Sequence, residues 1–147
     1  MEIERKFLVQ KVPADLDQYP VRVIEQGYLC TDPVVRIRRD NEDYILTYKS
    51  KGLMVREEYN LPLTEDAYRH LKTKIDGRLI VKRRYMIPHS DELTIELDLF
   101  EGDLAPLILA EVEFPTEEAA NSFTTPDWFG EDVTCSGKYH NSSLSRL

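Results

Sequence analysis

Met1-Glu2-Ile3-Glu4-Arg5-Lys6-Phe7-Leu8-Val9 opens the chain. Extended, with successive side chains on opposite faces, it puts Glu2, Glu4 and Lys6 on one side and Ile3, Phe7 and Val9 on the other. One such strand is what any sheet with a single solvated face would give. The pattern decides the fold because it returns. Residues 34–39 alternate with Arg36 and Arg38 against Val35 and Ile37, and residues 44–51 with Thr47, Lys49 and Lys51 against Tyr44, Leu46 and Tyr48. Residues 55–61 place Arg56, Glu58 and Asn60 opposite Val55, Tyr59 and Leu61. Residues 79–87 do the same with Lys82 and Arg84, residues 93–100 with Glu96 and Asp98, and residues 107–114 with Glu111 and Glu113. Residues 22–30 make a further extended run.

Turn residues separate these runs: Thr31-Asp32-Pro33, Asp40-Asn41-Glu42, Gly52, Pro62 and residues 88–92. Residues 12–20 and 126–130 read as loops, the second carrying Trp128 as an anchor packed on the domain. Two helices interrupt the strands. Thr64 before Glu65 and Asp66, with Tyr68, Leu71 and Ile75 at helical spacing, predicts one ending at Gly77; Thr116 before Glu117 and Glu118 predicts another through Phe123. The tail, from Asp132 to Leu144, has only weak helical propensity. Eight strands and two helices without strand–helix repetition predict a mainly antiparallel α+β fold in one domain, residues 1–147.

The net charge of −8 argues against a general nucleic-acid binder, so any polyanion must meet a local basic cluster. No apolar run is long enough for a membrane span, and the acidic start is unlike a signal peptide; a soluble, cytoplasmic protein is expected. Cys30 and Cys135 are expected as free thiols, and His70, His89 and His140 lack zinc-site spacing. There is no Walker or dinucleotide glycine loop.

The charged sides of the strands carry few neutral polar residues, and their signs are grouped. Acidic pairs sit on the last two strands and basic pairs on three middle ones, whereas a solvated face mixes signs because neighbouring like charges repel. Clustered carboxylates are tolerable when cations lie between them, and oxygen-only ligands suit Mg²⁺ or Mn²⁺. Arg and Lys supply forked donors and point charges for an anionic oxygen ligand. Together these predict a polyphosphate site. If the sheet curls until its first and last strands meet, the charged face becomes a hydrated tunnel. The outward apolar face, including Tyr44, Tyr48, Tyr59, Leu93, Ile95 and Leu97, then needs cover, which a homodimer would supply where two helices fall short.

Glu2-Ile3-Glu4-Arg5-Lys6 resembles the Glu-x-Glu-x-Lys signature of the CYTH superfamily, the triphosphate tunnel metalloenzymes. The resemblance extends through Gln26-Gly27-Tyr28-Leu29, Arg36-x-Arg38, Leu46-Thr47-Tyr48-Lys49-Ser50, Arg56-x-Glu58-Tyr59, Lys82-x-Arg84-Tyr85, Glu96-Leu97-Asp98 and Glu111-Val112-Glu113-Phe114, to Asp132-Val133-Thr134 and Lys138-Tyr139-x-Asn141. It implies an eight-stranded antiparallel β-barrel with flanking helices that hydrolyses triphosphates with Mg²⁺ or Mn²⁺. The short bacterial branch implies an inorganic triphosphatase cleaving tripolyphosphate to pyrophosphate and phosphate. By position, Glu2, Glu4, Asp98, Glu111 and Glu113 would hold metal directly or through water, with Glu96 in support. Lys6, Arg36, Arg38, Lys49, Arg56, Lys82 and Arg84 would bind phosphate oxygens, and Lys138 joins them beside Tyr139 where the family places a C-terminal plug. The catalytic set implied is Glu111, Glu113, Lys82 and Lys6, with the two glutamates orienting the attacking water. Glu58 reads as an ion-pair partner of Arg56, and Lys51 as a strand-end residue. Adenylate cyclase, thiamine or nucleoside triphosphatase and non-catalytic polyphosphate binding are the alternatives; the acidic pairs would only repel the ligand of a pure binding module.

Overall fold

Among the described residues, ten strand segments are laid around eight positions of a ring. The computed structural model describes residues 2–52, 54–90 and 92–146; Met1 of the opening stretch and Asp91 of the turn expected at 88–92 lie outside them. The strands are β1 (Glu2–Val9), β2 (Val21–Thr31), β3 (Val34–Asp40), β4 (Asp43–Lys49), β5 (Val55–Arg56), β6 (Glu58–Pro62), β7 (Asp76–Pro88), β8 (Thr94–Phe100), β9 (Ile108–Glu113) and β10 (Phe129–Asp132). The helices are α1 (Glu65–Lys72), α2 (Glu117–Asn121) and α3 (Asn141–Leu144). Hydrogen-bonded order runs β1–β9–β8–β7–β2–β3–β4–β6, every pair antiparallel.

Closure comes from the run expected as one strand over 55–61. It breaks at Glu57: β6 pairs with β4, while β5 turns to pair with β1 through Glu2↔Arg56 and Ile3↔Val55. The two ends of the sheet are thereby joined, and the tunnel expected from sequence is formed. β10, expected as a loop, adds to the C-terminal half of β1 through Phe7↔Asp132 and Val9↔Phe129.

The outer face of β1, β9 and β8 forms one apolar core. Phe7, Ile95, Leu97 and Val112 are buried there, under Ala120 and Phe123 of the α2 region and Phe129 of β10. Each fully buried side chain of this size contributes about 1.5–3 kcal/mol. Trp128 is such an anchor, packing edge-on against Phe129 at 4.7 Å. α1 covers the face of β3 and β4: Tyr68 lies against Tyr44 at 5.1 Å and donates its hydroxyl hydrogen to the Glu25 carboxylate at 2.8 Å. Thr64 and Thr116 cap α1 and α2, each Oγ1 accepting a backbone N–H at 3.0 Å. α1 ends at Lys72, before the expected Ile75, because Ile75 packs against Gly27; a Cβ there would stand 2.8 Å from its side chain. Val21, Val23, Tyr59 and Leu61 stay exposed on the outside.

Inside the ring the alternation expected from sequence holds, but it is not charged along its whole depth. Two residues beyond Lys6, Asp98 and Arg36 in the strand direction that leads to one end stand Leu8, Phe100 and Val34; with Tyr28, Ile80 and Leu109 they form a second apolar cluster. Val133 and Leu144 of the C-terminal segment complete it. That segment is fixed to β7, Arg78 donating its backbone N–H to the Ser145 carbonyl at 2.6 Å. One end of the tunnel is therefore floored with apolar side chains. No helix among the described residues is long and apolar enough to cross a membrane. Cys30 and Cys135 are free thiols.

Candidate active site in a charged tunnel

Above this floor lies a cavity of about 190 Å³. Register decides which charges meet. β1 and β9 place Glu4 opposite Glu113 and Lys6 opposite Glu111, and β8 and β9 place Glu96 opposite Glu111. As a result Glu4, Glu96 and Glu111 each present a carboxylate oxygen within 4.8 Å of the others. The facing wall comes from β3, where Arg36 and Arg38 line the cavity. Lys49 and Arg56 flank Glu2 at the seam, at 3.0 and 3.6 Å from its Oε1.

Glu111 is the hub. Lys6 lies 3.2 Å from one of its oxygens and Arg84 donates to the other at 3.0 Å. Burial alone would raise this carboxyl, but Lys6, Arg84 and Lys82 hold it well below its ordinary range. Glu4 has the opposite fate. Burial, with the neighbouring charges of Glu111 and Glu2, pushes it up to about 8. Glu96 is raised by burial and by Glu111 and Asp98, and Glu113 by burial and by Glu2, Glu58 and Glu96. Three crowded oxygen donors, two of them reluctant to ionise without a nearby cation, are a donor set that fits a hard divalent ion.

The arginines are unequally neutralised. Arg84 is held by Asp98 through paired bonds of 2.7 and 2.8 Å. Arg36 and Arg38, by contrast, have no carboxylate within ion-pair distance among the described residues: Arg36 donates to Thr47 at 3.2 Å and Arg38 to Gln26 at 2.8 Å. The buried Nε of Arg36 has no hydrogen-bond partner. Burial, Arg36 and Arg84 bring Arg38 down to about 9. Arg36, buried, and Arg38, half-buried, face the cavity without a paired carboxylate and so define an anion recess.

Of the residues singled out in the sequence, the structure gathers Glu2, Glu4, Lys6, Arg36, Arg38, Lys49, Arg56, Arg84, Glu96, Glu111 and Glu113 around the cavity. Three others lie elsewhere. Asp98 points into the ring but is fully buried, off the cavity surface, both oxygens taken by Arg84 and a third contact made by Lys82 at 2.7 Å. Lys82 is fully buried beside it, under the Phe100 ring at 5.3 Å. Lys138 is exposed, its Nζ over Tyr139 at 5.3 Å, and it is the Tyr139 backbone carbonyl that accepts from Lys6 at 3.2 Å. Glu58 lines the cavity, and the carboxylate pairing with Arg56 is that of Glu2. Lys51 sits on the surface 3.8 Å from Asp32.

Sequence reasoning gave no site role to Arg22, Tyr28, Thr134, His140, Asn141 and Ser142, which also line the cavity, although Tyr28, Thr134 and Asn141 stand in the stretches that carry the resemblance. Tyr28 and Arg22 share the inward face of β2 with Gln26, and alternation would have found them. The last four come from the C-terminal segment, whose helix α3 is too short for periodicity to mark a facing side.

The fold and this site define a barrel protein whose charged tunnel suits a polyanion accompanied by a cation. The chain belongs to the CYTH domain family, which matches residues 1–146. It is 42% identical over 148 residues to the inorganic triphosphatase of Nitrosomonas europaea, covering 98% of this chain and 96% of that protein. It is 36% identical over 152 residues to the inorganic triphosphatase of Acetivibrio thermocellus, covering 97% and 92%. Its structure superposes on that of the inorganic triphosphatase NE1496 with a TM-score of 0.74 at 38% identity, covering 100% of this chain and 95% of the other.

Proposed function

We propose that the protein is an inorganic triphosphatase that cleaves tripolyphosphate to pyrophosphate and phosphate with the aid of Mg²⁺ or Mn²⁺. The observation that carries this reading is the pairing of Arg36 and Arg38, cavity-facing and without carboxylate partners, with the close trio of Glu4, Glu96 and Glu111. The names of the relatives support it.

Phosphoryl transfer depends mainly on positioning and on neutralising charge. Arg36, Arg38 and Arg84, with Lys6 and Lys49, would bind the phosphate oxygens. Glu4, Glu96 and Glu111 would hold the divalent ion, with Glu2 and Glu113 near enough along the wall to contribute through water. An ion held by these carboxylates would supply neutralisation of substrate charge and polarisation of the phosphoryl group. Glu111, held ionised, is a poor proton acceptor and serves as a ligand. Glu113, raised above its ordinary value at the exposed rim, is the better acceptor for the proton of the attacking water. Water oxygen bonds to the terminal phosphorus as the bond to the bridging oxygen breaks, and pyrophosphate leaves. Lys82 is the second proton-transfer candidate, because burial and the adjacent Arg84 bring it down to about 8. Asp98, buried inside the ring, acts by orienting Arg84.

Phosphate release from tripolyphosphate, ATP and thiamine triphosphate, with and without metal, tests the reading. Metal-dependent release mainly from tripolyphosphate is expected, reduced by roughly 10²-fold or more in Glu113→Gln, the scale of a lost general base. Cyclic AMP from ATP would make the protein a cyclase, and binding without turnover a polyphosphate-binding module. Of the outward residues expected to need a homodimer's cover, Ile95 and Leu97 are buried within the chain and Tyr59 is exposed, with Val21, Val23 and Leu61; light scattering checks the homodimer, and cell fractionation the cytoplasmic setting.

A further inference from the structure

Arg22 has no place in the tripolyphosphate site drawn above, yet its side chain lines the same cavity. It stands on the inward face of β2, half-exposed, directly opposite Arg84 in the β2–β7 ladder. Two guanidinium groups in directly opposed positions repel. Its one ion pair among the described residues, with Asp40 at 3.4 Å, is open to solvent, and such pairs are worth about 0–1 kcal/mol. The pair fixes where Arg22 sits and does not explain why it points inward.

Depth supplies the reason. From Tyr28 at the floor to Arg22 at the mouth is six residues of β2, roughly 20 Å of strand at 3.3 Å per residue. With the usual tilt of barrel strands this is about 15 Å of depth. Tripolyphosphate has six single bonds between its terminal oxygens, and a chain of such bonds advances about 4 Å for every three, as the peptide backbone does. It spans only about half of the tunnel. The floor is closed by apolar side chains, including Leu144 of α3, so a longer chain can extend in one direction only, outward past Arg22.

We infer that Arg22 is a specificity-determining residue for linear polyphosphates longer than three phosphoryl groups, bound end-first with the fourth group at the mouth. The inference rests on the triphosphatase reading for its chemistry, and on the geometry of the blind tunnel for its direction. Arg22 donates to the outermost phosphoryl oxygens, and Asp40 keeps the guanidinium at the rim.

The test compares kcat/KM for tetrapolyphosphate and tripolyphosphate in the full-length protein, its Arg22→Ala and Arg22→Lys variants and Asp40→Asn, with folding checked by circular dichroism. Arg22→Ala should lower the tetrapolyphosphate-to-tripolyphosphate ratio about tenfold, the size of one lost charge-assisted contact, mostly through KM. Arg22→Lys should recover part of it. An unchanged ratio, or a native protein that does not act on tetrapolyphosphate while cleaving tripolyphosphate, overturns the inference alone. If neither compound is cleaved, the triphosphatase reading fails, and calorimetric binding of the two compounds decides the inference: a dissociation-constant ratio that shifts tenfold in Arg22→Ala sustains it, and an unshifted ratio or no binding ends it.

Discussion

Replacing Asp98 with alanine separates two roles for a residue that sequence places among metal ligands and the structure buries off the cavity surface. Asp98 accepts two bonds from Arg84, at 2.7 and 2.8 Å, and lies 2.7 Å from the Lys82 ammonium, with all solvent excluded. Hydrogen bonds to charged groups are worth about 1.5–3 kcal/mol each, and removing one partner of a buried ion pair costs about 3–5 kcal/mol because a charge is left uncompensated. Asp98→Ala strands Lys82, while Arg84 keeps Glu111 at 3.0 Å and Glu96 at 3.3 Å, so a loss within that range is expected. Asp98→Asn, which keeps the shape, should lose less. Urea denaturation at pH 7 measures both. A double-mutant cycle with Lys82→Met should return about 1–3 kcal/mol as coupling, since that change removes one stranded charge. The pH dependence has a definite sign. Although burial opposes it, Arg84 and Lys82 hold this carboxyl below its ordinary value. Its stabilisation is therefore fully present above the unfolded value of about 3.9 and is lost as pH falls through the lower folded value. A stability loss under about 1 kcal/mol in Asp98→Ala, accompanied by lost metal binding, would refute this reasoning and return Asp98 to the ligands.

Two further outcomes follow from the site and its floor. Glu4, raised to about 8, is mostly protonated at pH 7 before a cation arrives, so binding of Mg²⁺ should release close to one proton and weaken about tenfold for each unit below pH 7. Calorimetry in two buffers of different ionisation enthalpy measures this; an affinity constant from pH 6 to 8 would contradict it. Gly77→Ala should destabilise by more than about 1 kcal/mol, because Gly77 has φ +71° and a Cβ there would collide with the Ser145 carbonyl. Thermal denaturation should show the loss, and faster proteolysis within residues 137–146 its location.

Much of the barrel was legible because period-2 alternation needs only one residue's neighbours to reveal it. Glu2, Glu4, Arg36, Glu111 and Glu113 could be assigned to one face from spacing alone. What alternation does not carry is depth. It treats Lys82 and Arg84 alike, yet Lys82, two residues nearer the apolar floor, is fully buried against Asp98 while Arg84 faces the cavity. Nor does it distinguish an inward carboxylate that meets empty space, as Glu4 does, from one already consumed by neighbouring cations, as Asp98 is. The break at Glu57 was hidden for a similar reason: residues 55–61 alternate correctly in either of two sheets, and only the ring's circumference decides that the run serves both. His140 and Ser142 were out of reach because the segment bearing them is positioned by packing of Leu144 and Val133 rather than by any repeat.

The ordering of the ring also bears on how the molecule comes into being. β1 is the first strand to be made, but its partners are β5, β9 and β10, and the nearest pairing joins residues 2 and 56 while the β9 pairing joins residues 4 and 113. Such long-range pairings make folding slow. During synthesis the hairpin of β2 and β3 and its extension to β4 can form from adjacent chain, while the strand bearing Glu2, Glu4 and Lys6 waits. The acid trio, drawn from β1, β8 and β9, exists only after the last of these has docked, so binding competence should appear as a late kinetic event, after most of the β-structure is already in place.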